Sequence, residues 1–107
     1  ADAPYVFEVR PEGKRAYLQA GFPWAAGVFT GLNDAGVVVA VERIPTLGAP
    51  ELTGPYIEFA ARAALETAGN RDEALAALQS WTNLRGYAVT VADAGGAVTV
   101  TFGEVVS

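Results

Sequence analysis

The sequence predicts an α+β domain in which an antiparallel sheet carries two helices on one face, in the order ββββααββ. Four apolar or alternating segments precede two helix-periodic segments, and two more alternating segments follow them. Strands grouped on both sides of a helix pair favour this layered arrangement. The 107 residues contain no linker, repeat or low-complexity segment, and we interpret them as a single domain or domain fragment.

The first hairpin is predicted from alternation on either side of a turn. Residues 5–10 and 16–20 alternate as strands do, and the intervening PEGK at 11–14 has the residue types of a turn. These two segments are therefore expected to pair with each other.

The second hairpin is predicted from residues 28–32 and 37–41, joined by Asn33-Asp34-Ala35-Gly36, which includes the residue types that best tolerate positive φ. Val38 and Ala40 face opposite to the other valines of their strand, so the strand is apolar on both sides. Strands of this kind are normally covered on both faces. The two helices can cover one face, and nothing obvious in the chain covers the other.

The first helix is expected to begin near Thr53, a favourable N-cap, with Pro55 in its first turn, and to end at Gly69. Its apolar residues recur at helical spacing on one side: Ile57, Ala61, Ala64, Leu65 and Ala68. Glu58, Arg62 and Glu66 lie four residues apart on another side, where they are interpreted as a solvated charged row.

The second helix follows at once, because residues 70–73 (NRDE) have the spacing of a capping box. It is expected to bury Ala74, Leu75, Leu78 and Trp81 and to end before NLRG at 83–86. Residues 87–104 then predict two alternating strands joined across Asp93-Ala94-Gly95-Gly96.

The composition excludes several classes of function. The net charge is −5 with a single lysine, so no basic surface is expected for nucleic acid. No stretch approaches the length of an apolar membrane-spanning helix. Cysteine and histidine are both absent, which removes the usual zinc ligands and the commonest general base. We expect no metal, no cofactor, no nucleic-acid partner and no membrane partner.

Catalytic motifs are equally scarce. The glycines at 27, 31 and 36 match neither type of phosphate-binding loop, and a strand follows them instead of a helix. No serine lies in GxSxG. The strand and strand-end carboxylates of Glu8, Glu42 and Glu104 are interpreted as solvated edge charges, since nothing in the sequence pairs them. The sequence therefore predicts no catalytic residue.

One aromatic segment stays open to two interpretations. GFPW at 21–24 could form an exposed platform for a peptide or a sugar, with Trp24 at its end, or it could belong to the core. The core interpretation is favoured, because an aromatic pair that leads into a buried hairpin is more often buried.

Several segments together resemble a known family. They are GFPWAAGVFTGLNDAGVVVAV, a loop ending in TGP, the helices IEFAARAALETA and NRDEALAALQSW, and the closing AVTVADAGGAVTVTF. In this order they resemble the acyl-CoA:6-aminopenicillanic acid acyltransferase group, which belongs with the choloylglycine hydrolases and penicillin V acylases among the N-terminal nucleophile hydrolases. The most specific part is Gly31-Leu32-Asn33-Asp34-Ala35-Gly36-Val37.

The resemblance implies an αββα sandwich of two stacked sheets, of which this chain would supply one sheet and its helices. It also implies attack on an amide or thioester by an N-terminal cysteine, which this sequence lacks. In relatives that resemble bile-salt hydrolases an oxyanion-side Asn follows the hairpin, and Arg43, beside Glu42, occupies that position here. The catalytic role therefore does not carry over. Glu42, Arg43 and Trp24 remain candidates for the rim of a substrate pocket.

The sequence thus predicts a catalytically incomplete part of an enzyme that cleaves or transfers an acyl group of a small acylated substrate. The alternative is a non-catalytic binding or assembly module that self-associates through its apolar sheet face. Either the remainder of a parent domain or a second copy of the chain is the expected partner, and dimerisation would restore four layers.

Overall fold

The structure is a computed structural model that describes residues 5–21, 29–43, 55–81 and 87–102. Its described elements follow the predicted order ββββααββ. They are β1 (Tyr5–Val9), β2 (Tyr17–Gly21), β3 (Phe29–Asn33), β4 (Val38–Arg43), α1 (Pro55–Thr67), α2 (Arg71–Gln79), β5 (Tyr87–Asp93) and β6 (Gly96–Phe102). The predicted α+β class is confirmed.

The sheet is antiparallel throughout, and its six described strands lie in the order of the chain. The strands β4 and β5, which flank the two helices in sequence, pair directly with each other. Helix α1 packs on β3 and β4, and α2 packs on β5. Both helices therefore cover the same face of the sheet, as the sequence predicts.

The core lies between this face and the helices. The strands contribute fully buried valines and tyrosines, and the described side chains of α1 contribute an alanine-rich side together with the larger Leu65. Small side chains let a helix approach a sheet closely. Among the described residues, the buried apolar ones are Tyr17, Val37, Val39, Val41, Ala60, Ala61, Ala64, Leu65, Ala68, Ala74, Leu78, Tyr87, Val89 and Val91.

The other face of the sheet, called the open face here, carries no described element. Strand register aligns its side chains in two main rows across the sheet. One row is Val6, Ala20, Thr30, Ala40, Thr90 and Thr99, and the next is Glu8, Leu18, Leu32, Val38, Ala92 and Ala97. Val6, Leu18 and Leu32 are 68%, 45% and 42% exposed. The predicted strand with two apolar faces is therefore present, and within the described residues one of those faces is uncovered.

Candidate functional site

The hairpin between β3 and β4, which carries the most specific part of the family resemblance, is built around Asn33. Gly36 has φ +82°, whereas no described non-glycine residue has a positive φ. Of the four turn residues, then, Gly36 alone supplies the left-handed conformation. Asn33 is only 4% exposed and ends strand β3 instead of lying in the turn.

The Asn33 side chain joins this hairpin to the C-terminal end of α1. Its Nδ2 donates to the carbonyl oxygens of Leu65 (3.0 Å) and Ala68 (2.8 Å). Its Oδ1 accepts from the amides of Ala35 (3.0 Å) and Val37 (2.9 Å). An amide side chain has two donor hydrogens and an acceptor oxygen with two lone pairs, so every hydrogen-bonding position of Asn33 is used. It has no donor left for a substrate oxyanion.

Gly31 has an equally specific role. A Cβ built there would overlap Cδ1 of Leu65. Helix α1 therefore lies against the bare backbone of β3, which brings its last carbonyl groups within reach of Asn33. Close approach at Gly31, hydrogen bonding at Asn33 and positive φ at Gly36 together explain what each of these residue types does in the hairpin.

The segment before β2 caps the same helix end. The Arg15 amide donates to the Glu66 carbonyl oxygen (2.9 Å), and Lys14 Nζ lies 3.3 Å from Glu66 Oε1. Arg15 also pairs with Asp34 at 3.3 Å. The carbonyl groups at a helix C-terminus lack partners within the helix. Here neighbouring loops provide them, so the first two hairpins and α1 form one hydrogen-bonded unit.

The predicted charged row on α1 is more enclosed than expected. Arg62 is half-buried, and its Nε donates to Oε1 of Gln19, which is 1% exposed (3.2 Å). Glu66 is half-buried as well. Burial, followed by the nearby Glu66 carboxylate, raises the pKa of Tyr17, while Arg62 opposes the shift. These two charged side chains therefore belong to a polar contact between α1 and β2. The Glu58 side chain lies outside the described residues.

The turn between β5 and β6 is tied to the start of α2. The Asp93 carboxylate accepts from the backbone amides of Arg71 (2.9 Å) and Gly95 (2.7 Å). These two bonds, in that order, are the main causes that lower the pKa of Asp93. The predicted capping box is also present: Asn70 accepts from the Glu73 amide, and the Glu73 carboxylate accepts from Gly69 instead of from Asn70.

The predicted rim residues are not seen together. Glu42 is exposed near the end of β4 on the open face. Arg43 is the next residue along the strand, and its side chain lies outside the described part. Trp24 also lies outside the described residues. Their role as a pocket rim stays a prediction.

A shallow depression of about 270 Å³ lies elsewhere, at one end of β1, β2 and β3. Leu18 and Leu32 provide its apolar side, and its charged groups Arg10 and Asp34 are already paired with Glu8 and Arg15. No group of three potential metal ligands occurs among the described residues. No described helix is both long and apolar enough to cross a membrane.

Sequence reasoning missed the helix-capping role of Asn33, because its partners lie 32 and 35 residues away. A signal was present, since a polar amide residue closes an otherwise apolar strand. Comparison with known proteins identifies the family of this chain. A search of curated proteins returned no match, but the model of the family described as acyl-coenzyme A:6-aminopenicillanic acid acyl-transferase matches residues 4–105. That match spans nearly the whole chain, which therefore belongs to this acyl-transferase family.

Proposed function

We propose that this chain supplies one sheet-and-helix layer of an N-terminal nucleophile hydrolase that cleaves or transfers an acyl group at an amide or thioester, and that it does not supply the nucleophile. One observation carries the proposal: the acyl-transferase family model matches residues 4–105, yet the sequence contains no cysteine. The substrate class is a small acylated amine or thioester.

The contacts of the described residues support a scaffold role. Asn33 has all its hydrogen-bonding positions occupied by backbone partners. The Ser80 hydroxyl donates to the Ala77 carbonyl oxygen (2.6 Å), and the hydroxyls of Thr90 and Thr99 bond each other (2.8 Å). The sequence also contains no histidine that could activate a hydroxyl. The motif therefore builds the layer, and the reacting group comes from elsewhere.

The reading frame that encodes these residues provides a direct test. The proposal expects a cysteine encoded N-terminal to them, and production of the longer chain should yield acyl-transfer activity that a Cys→Ala substitution abolishes. A longer chain that remains active after that substitution would overturn the proposal. So would a reading frame that begins near Ala1.

A second candidate function is an assembly module without catalysis, and the open face favours it. This face exposes Val6, Leu18 and Leu32, and the described charges near its margins are Glu42 and the ion pair of Glu8 and Arg10. Contiguous apolar surface of this kind marks an interaction site more often than it lies free in solvent. Sedimentation of the 107-residue chain distinguishes this function, which requires self-association, from a purely catalytic scaffold.

A further inference from the structure

Two exposed phenylalanines lie on the helix side of the sheet, away from the open face. Phe7 is 45% exposed, and its register partner on β2 is the buried Gln19, whose Oε1 accepts from Arg62 of α1 (3.2 Å). Cross-strand partners share one face of a sheet, so Phe7 lies on the face that carries the helices. Phe59 is 55% exposed and lies one turn before Arg62 on α1. Phe7 and Phe59, called the aromatic pair here, therefore lie beside the same polar contact between β2 and α1.

The aromatic pair lies towards the end of the sheet at which β2 ends and β3 begins. The last turn of α1 is bonded to Arg15 and Asn33 at the opposite end, so the first turns of this helix lie towards Gly21. Gly21 and Phe29 are register partners, and the seven residues between them, FPWAAGV at 22–28, lie outside the described part of the chain. This connection therefore starts and finishes near the aromatic pair.

The connection is long enough to reach the pair. Gly21 lies opposite Tyr5, so Phe7 is two residues along and one strand away from Gly21, a distance of about 8 Å. Trp24 is three residues from Gly21, and an extended chain spans about 3.4 Å per residue, so its ring can contact Phe7. Pro23 restricts the backbone beside Trp24, which lowers the entropy that docking would cost.

The open face offers less apolar surface at this end of the sheet. On the first three strands its residues there are Val6, Ala20 and Thr30, of which only Val6 is both large and apolar. Leu18 and Leu32 lie two residues further along, towards the opposite end. Aromatic side chains bury large areas and gain additional energy from contact between rings. The helix side is therefore the better surface for an aromatic segment.

We propose that residues 22–24 pack on the aromatic pair and extend the core of this layer across β1 and β2. This decides between the two interpretations of GFPW: the segment belongs to the core, and Trp24 does not line a substrate pocket. Glu42 and Arg43 then remain as rim candidates. The inference goes beyond the proposed function and does not depend on it, because that function rests on the family match and the missing cysteine.

Tryptophan fluorescence tests this docking in a chain that carries Trp81→Phe, so that Trp24 is the only tryptophan. Its emission should be blue-shifted relative to the urea-unfolded chain. Phe7→Ala and Phe59→Ala should each shift the emission to the red and raise the acrylamide quenching constant about twofold or more, since each removes part of the aromatic cover. Leu32→Ala is the matched control, because Leu32 is 42% exposed on the open face, and it should change neither quantity. Circular dichroism would establish that each variant is folded.

Urea unfolding gives an independent measurement. Trp24→Ala should lower the free energy of unfolding less in a chain that already carries Phe59→Ala than in the original, whereas Leu32→Ala should not alter its effect. Additive losses for Trp24→Ala and Phe59→Ala would overturn the proposal, as would Trp24 emission equal to that of the unfolded chain. Emission that responds to Val6→Ala and not to Phe59→Ala would also overturn it, because the segment would then lie on the open face. Each of these results would leave the proposed function standing, since the upstream cysteine tests that function separately.

Discussion

Replacement of Asn33 by alanine is expected to be among the most destabilising single substitutions in this chain. It removes hydrogen bonds to the carbonyl groups of Leu65 and Ala68 and from the amide of Val37, all of which are buried, together with a partly buried bond from Ala35. Leaving a buried polar group without a partner costs about 1–3 kcal/mol. Because water can reach some of these groups after the substitution, we expect a total loss of about 3–5 kcal/mol.

Urea unfolding followed by circular dichroism measures this loss. Asn70→Ala is the matched control: Asn70 is an exposed N-cap with a single side-chain bond, and its loss should cost about 1 kcal/mol. Asn33→Asp adds a second test, since a carboxylate would face two carbonyl oxygens. The free energy of unfolding that this variant loses relative to the original protein should be smaller at pH 4 than at pH 7. An Asn33→Ala variant within about 1 kcal/mol of the original protein would refute the proposed role of Asn33.

Three further predictions concern packing and pH. Gly31→Ala should lower the free energy of unfolding in urea by about 1–3 kcal/mol, because its Cβ overlaps Leu65. In a chain that already carries Leu65→Ala, the loss caused by Gly31→Ala should be smaller. The folded-state pKa of Asp93 is depressed, so its contribution to stability is complete above the usual value of 3.8 and is lost as the pH falls. Asp93→Asn should therefore flatten the decline of Tm below about pH 4. An unchanged decline would contradict the lowered pKa of Asp93. The pKa of Tyr17 is raised above 10.0, so the unfolded chain loses this proton first and stability falls above pH 10; Tyr17→Phe should reduce that fall, measured as Tm between about pH 9 and 11.

Local patterns predicted the elements of this fold well. Alternation placed β1, β2, β5 and β6, the turn residues between Asn33 and Gly36 placed the hairpin of β3 and β4, and the capping box at Asn70 and Glu73 placed the start of α2. The valines of β4 correctly indicated that both sheet faces are apolar. These features depend on neighbours in sequence, whose spacing can be counted along the chain.

Features that depend on distant partners could not be predicted in the same way. Spacing along the sequence predicts that Arg62 lies on the solvated side of the helix, but β2 places the buried Gln19 beside it. Asparagine is a common residue type in turns, and the partners of Asn33 on α1 become apparent only when the sheet and helix are assembled. The depression beside Leu18 and Leu32 likewise depends on three strands and their ends. The candidate rim residues Glu42, Arg43 and Trp24 came from a family resemblance, and their role is still a prediction.

The most direct measurement of the central claim is an acyl-transfer assay on the purified 107-residue chain. The chain would be incubated with an acyl-coenzyme A and 6-aminopenicillanic acid, and separately with a penicillin, and products would be quantified by mass spectrometry against a blank without protein. The account predicts no product above the blank, because the layer carries no cysteine nucleophile. The account would be contradicted by product that increases in proportion to the amount of chain, provided that the chain still forms it after repurification.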